Sequence, residues 1–180
     1  MQNDRFPEGL GSAVARVRSA DGTPVGSGFL LAPGTVVTCA HVVAQALRTD
    51  ARAESPPTSP VTVEFPLQRG SVAYEASVSA WRPVAADGTG DIALLRFPED
   101  TADTLTTPVP LAGAGDVWDH RFRILAFPAT AEHGAWIGGR LLGAVGQGWI
   151  SMRRRAPHTT SPRGAAEPPS GTRNSQPWSA

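Results

Sequence analysis

Between Ala13 and Met152 the apolar residues come in runs of strand length, cut at short intervals by Gly, Pro and polar clusters. That rhythm leaves little room for long helices and points to an all-β barrel or sandwich. Ala13-Val-Ala-Arg-Val-Arg alternates apolar and polar residues, as a half-buried strand does. Gly28-Phe-Leu-Leu, the turn Pro33-Gly34 and Thr35-Val-Val-Thr read as a hairpin. Val61-Thr-Val-Glu-Phe65, parts of Ser71 to Trp81, Asp91 to Phe97, Arg121 to Phe127 and Ala135 to Leu142 read as further strands. Ala40 to Arg48 is the one helical stretch, and segments 48–60 and 83–90 read as loops. No internal repeat is present.

Composition narrows the function. With 41% apolar and 18% charged residues, most of the chain can bury a core, and 180 residues suffice for one domain or two small barrels. The formal net charge is zero, so neither a nucleic-acid nor a membrane partner is expected. All 16 basic residues are Arg, which removes a P-loop NTPase reading because that phosphate cradle needs its Lys. Cys39 is the one cysteine, so no internal disulfide forms. No basic start followed by an apolar run opens the sequence, and no apolar stretch reaches membrane-span length. These absences set the expectation of a cytoplasmic protein.

Two stretches carry chemistry. One is Gly26-Ser-Gly-Phe-Leu-Leu-Ala-Pro-Gly-Thr-Val-Val-Thr-Cys-Ala-His41-Val-Val, and the other, fifty residues on, is Gly90-Asp91-Ile-Ala-Leu-Leu-Arg. Each places His41 or Asp91 at the edge of an apolar strand, where a rigid backbone can aim a side chain into a cleft. A general base needs a neutral imidazole oriented by a carboxylate on its other nitrogen. Cys39 would share a strand face with His41. A Cys-His dyad is conceivable there, but a buried, inert thiol is the better reading. His120 and His133 stand alone, with no metal-ligand spacing around them.

These residues resemble the trypsin-like (chymotrypsin-fold) serine peptidases over roughly residues 11–150. The resemblance implies two antiparallel barrels, with His41 as catalytic base, Asp91 as catalytic acid and a serine to follow. It implies a protein or peptide substrate, no metal or organic cofactor, and fusion to signalling or NTPase modules in intact homologues.

The serine is the difficulty. Residues 153–180 hold five Arg and five Pro but no Val, Ile, Leu or Phe, so by composition they form a disordered tail. The nearest nucleophile candidate, Ser170 in Pro168-Pro-Ser170-Gly171, lacks the Gly before the serine that the family's turn carries. Read one base early, however, the tail's codons permit Ser-Ser-Gly-Ala-Pro-Val-Trp followed by an apolar strand, which resembles the missing segment. The expectation is therefore a peptidase domain over residues 1–152, C-terminally truncated or frameshifted, with no nucleophile identified and an incomplete second barrel. A genuine polar tail is the other reading of 153–180. A pseudoprotease that binds peptides, or the remnant of a larger multidomain signalling protein, are the other readings of function.

Overall fold

The computed structural model describes residues 10–154, apart from 71, 103, 106, 114, 129 and 146–148. Among the described residues, nine strands and two helices follow one another as β1 (Val14–Arg18), β2 (Pro24–Ala32), β3 (Thr35–Thr38), α1 (Ala40–Leu47), β4 (Val61–Glu64), β5 (Ala73–Val84), β6 (Gly90–Arg96), α2 (Glu99–Ala102), β7 (Arg121–Ala126), β8 (Ala135–Val145) and β9 (Trp149–Arg154). The first six strands close a barrel in the order β1-β2-β3-β6-β5-β4, and the last three form an open sheet, β7-β8-β9. Every pairing is antiparallel. The all-β, chymotrypsin-like double barrel is thus present, with the second barrel incomplete.

Period-two alternation builds the barrel core. Ala15 and Val17 of β1, Val61 and Val63 of β4, and Ala93 and Leu95 of β6 all point inward and are fully buried. Phe65, Tyr74 and Phe97 close one part of the core, with ring centroids 6.0–6.4 Å apart. The β2–β3 hairpin turns at Gly34, whose φ of 66° is readily reached only by glycine. Helix α1 buries Ala40, Val42, Val43, Ala44 and Ala46 against the barrel.

Several boundaries differ from the sequence reading. The loop expected over 83–90 is shorter, because β5 runs to Val84 and β6 starts at Gly90, where the two strands pair. The four-residue α2 carries no apolar face that would announce it. Strand β9 extends through Arg154 and pairs with β8 up to Gly139. The tail 155–180, including Ser170, lies outside the described residues. No helix among the described residues is long and apolar enough to cross a membrane.

Ser27, Arg16 and Arg18 of the barrel reach toward the second sheet. The Phe127 N–H donates to the Ser27 hydroxyl at 3.0 Å. Arg16 bonds Glu64 of β4 and the Glu132 carbonyl, and its guanidinium lies 5.5 Å above the centre of the Phe127 ring. Arg18 bridges Glu64 at 2.9 Å and also pairs with Glu132. Burial pushes the Glu64 carboxyl up, but its bonds to Arg16 and Arg18 outweigh that and hold it below its ordinary 4.5. The unfolded chain therefore takes up that proton first. This contribution to stability is whole above about pH 4.5 and is lost as the pH falls through the lower folded value.

Urea midpoints measured from about pH 6 down to about pH 3 should fall, and Glu64→Gln should flatten part of that fall. An unchanged slope in the variant would remove Glu64 from the account. Gly90 has φ 80°, and an added Cβ would stand 2.3 Å from the Pro83 carbonyl oxygen. Gly90→Ala should therefore cost at least about 2 kcal/mol in denaturant unfolding; a cost within error of zero would refute the close approach.

Candidate active site

His41 sits in the first turn of helix α1 and not on a strand edge, because β3 ends at Thr38 and the helix begins at Ala40. Cys39 is the N-cap residue, with extended backbone at φ −82° and ψ 146°, so it does not share a strand face with His41. Three glycine and serine contacts hold this corner. A Cβ on Gly26 would stand 2.6 Å from a Val42 methyl, so only glycine lets the helix lie this close to β2. Gly28 similarly admits the Val37 carbonyl of β3, 2.6 Å from where its Cβ would be. The Thr38 hydroxyl donates to the Ser27 carbonyl at 2.9 Å and fixes the end of β3.

Asp91 arrives from β6, the strand paired with β3. It is the second residue of β6, and both it and Gly90 adopt positive φ, at 56° and 80°. A non-glycine residue rarely sits there; Asp is among the few that do. The loop after α1 is pinned to the same corner, since the Val84 N–H donates to the Ala51 carbonyl at 3.0 Å and the Trp81 indole N–H to the Ala53 carbonyl at 2.8 Å.

The two residues meet through two hydrogen bonds. The His41 backbone N–H donates to Asp91 Oδ1 at 2.9 Å, and His41 Nδ1 lies 2.7 Å from Asp91 Oδ2. An ionised carboxylate only accepts, so Nδ1 carries the proton and Nε2 keeps its lone pair. Among the described residues Nε2 has no hydrogen-bond partner, and the imidazole is half exposed while Asp91 is more sheltered. The arrangement can take a proton from a hydroxyl brought to Nε2 and stabilise the resulting imidazolium through Asp91.

Cys39 completes a trio. Its sulfur, a His41 ring nitrogen and an Asp91 oxygen lie within 4.8 Å of one another. The thiol is half-buried rather than fully buried. Burial pushes its pKa up, and the Asp91 charge with a weak hydrogen bond to that carboxylate pushes it further. It therefore stays a thiol beside the imidazole, which agrees with reading it as no nucleophile. The contact with Asp91 escapes a reading of local sequence because the partner lies 52 residues away. His120 and His133 lie outside this trio.

The chain is similar to Rv3671c from M. tuberculosis H37Rv, solved in an inactive form, at 24% identity and a TM-score of 0.48, over 76% of this chain and 55% of that one. It is also similar to the MamO protease domain from Magnetospirillum magneticum, at 18% identity and a TM-score of 0.49, over 82% and 71% of the two chains. This chain thus spans little more than half the length of the first. No curated protein matches significantly. The sequence model described as Trypsin-like peptidase domain matches residues 26–171, taking in both motifs, and the chain belongs to that family.

Proposed function

We propose that His41 is the general base and Asp91 the orienting acid of a serine endopeptidase reaction. The 2.7 Å contact between His41 Nδ1 and Asp91 Oδ2 carries this reading, because it selects the tautomer that a base requires. In the intact enzyme a serine hydroxyl delivered to Nε2 loses its proton to His41 and attacks a peptide carbonyl of a protein substrate. His41 then returns that proton to the leaving amine. Asp91 stays ionised throughout and holds the ring.

The chain as written lacks that serine. We assign residues 1–152 to the peptidase domain and 153–180 to out-of-frame translation, after loss of one base or gain of two near codon 152, although the family match itself runs on to residue 171. The strand pairing of Arg153 and Arg154 does not oppose this, since backbone ladder bonds form irrespective of side chain. Removal of a triad serine costs about a million-fold in turnover, so the polypeptide is assigned no activity. A cytoplasmic location suits the lone, unpaired Cys39.

A binding role without cleavage is the second reading. It is favoured by an apolar groove of about 400 Å³ between barrel and sheet, lined by Val14, Phe29, Leu111, Leu125 and Trp136. Saturable binding of unstructured peptides to a chain that cleaves none of them would support it.

Sequencing the coding DNA from codon 145 past the stop separates the possibilities. A missing base that restores Ser-Gly-x-x-Val-Trp identifies an active peptidase, and a shifted frame without Ser-Gly refutes the frameshift. On fluorogenic peptides the present chain should show no turnover above blank. The frame-restored chain should cleave, and His41→Ala should lower its kcat by roughly 10⁴–10⁶-fold. Cleavage by the present chain that His41→Ala abolishes would overturn the assignment of a missing nucleophile.

A further inference from the structure

The peptidase chemistry uses His41 and Asp91 and leaves Cys39 without a task. Yet the three side chains present one sulfur, one nitrogen and one oxygen donor within 4.8 Å of each other. Each is placed by a separate constraint. Cys39 caps α1 in extended geometry, His41 follows in the first helical turn, and Asp91 is set by the left-handed start of β6. Half exposure of the imidazole leaves the cluster open to solvent on one side.

We propose that Cys39, His41 and Asp91 form an inhibitory site for a zinc-type divalent cation. The inhibitory part of this proposal rests on the peptidase reading of His41 and Asp91; the binding part does not. A mixed thiolate, imidazole and carboxylate set is one that Zn²⁺ accepts, with the fourth position left to water. Zinc–ligand bonds of about 2.0–2.3 Å put donor atoms roughly 3.3–3.7 Å apart, so side-chain rotations of about an ångström close the site.

Proton and charge balance favour the cation. Binding releases the Cys39 thiol proton to solvent. The proton now on His41 Nδ1 is replaced by the metal, and the neutral ring carries its proton on Nε2 instead. One thiolate and one carboxylate then neutralise the dication. With Nε2 protonated, His41 cannot accept a proton from a hydroxyl, and the bond from Nδ1 to Asp91 is broken. Metal occupancy and base function exclude each other.

Cys39 is the chain's one thiol, so its alkylation reports on this site alone and needs no catalytic activity. Zn²⁺ added to the full chain should slow alkylation of Cys39 at least about tenfold, and His41→Gln and Asp91→Asn should each abolish most of that protection. Co²⁺ in the unmodified chain should give a thiolate-to-cobalt charge-transfer band that Zn²⁺ displaces, a readout that depends on no variant. Absence of the band, no protection by Zn²⁺, or protection that persists in both variants would each overturn the site. In the frame-restored chain, Zn²⁺ should inhibit cleavage. Tight binding without inhibition would leave the metal site standing and refute the base role of His41.

Discussion

The Asp91 carboxylate is the contact on which the site depends, because one side chain performs two structural tasks. Helix α1 begins with unpaired N–H groups, and Cys39 at the N-cap offers no side-chain bond to them. Asp91 supplies one from the start of the neighbouring strand β6 by accepting the His41 N–H, and its charge lies at the favourable end of the helix. Its second oxygen accepts a hydrogen bond from Nδ1 of the same residue. Main chain and ring of His41 are thereby fixed by a single carboxylate. An N-cap bond contributes about 1 kcal/mol, comparable to the roughly 1–2 kcal/mol cost of left-handed backbone at Asp91. The strained start of β6 is thus roughly offset by the bonds it makes possible.

The Gly26-Ser27-Gly28 stretch has a physical reason at each position. Gly26 makes room for Val42 and so seats the helix, while Gly28 makes room for β3. Ser27 faces both ways, its carbonyl receiving Thr38 and its hydroxyl receiving the Phe127 N–H of the second sheet. A larger residue at 26 or 28 would move the helix or the strand that leads into it. The motif that identifies the family in the sequence is, in the fold, a set of close approaches that place His41.

Local pattern was legible and distant partnership was not. The alternation at Val61-Thr-Val-Glu and the run after Asp91 announced their strands, and Ala40 to Arg48 announced the helix within one residue. His41 was nevertheless read as a strand-edge residue, because the apolar run Thr35-Val-Val-Thr continues into the helix with no Gly or Pro between. The short α2 was hidden by a polar sequence in which no residue is buried. Arg16 looked like the solvent-facing half of an alternating strand, yet it is largely buried and bonded to Glu64 and Glu132. Its partners lie 48 and 116 residues away, and no local rule reaches them. The same distance concealed the approach of Cys39 to Asp91.

The two halves of the molecule carry unequal shares of this order. The six-stranded barrel is closed, so it has no exposed strand edge and encloses its own core. Every contact that fixes the dyad, from Gly26 through Thr38 and Val84 to Asp91, lies within that barrel and its helix. The three-stranded sheet instead exposes Ile124, Trp136, Val145, Ile150 and Met152. It leans on the barrel chiefly through Ser27, Arg16 and Arg18. Geometry at His41 is therefore decoupled from closure of the second barrel. An oriented imidazole is a property of the first barrel alone, whereas the proposed cleavage needs a group from the second. A chain of this family can keep the one without the other.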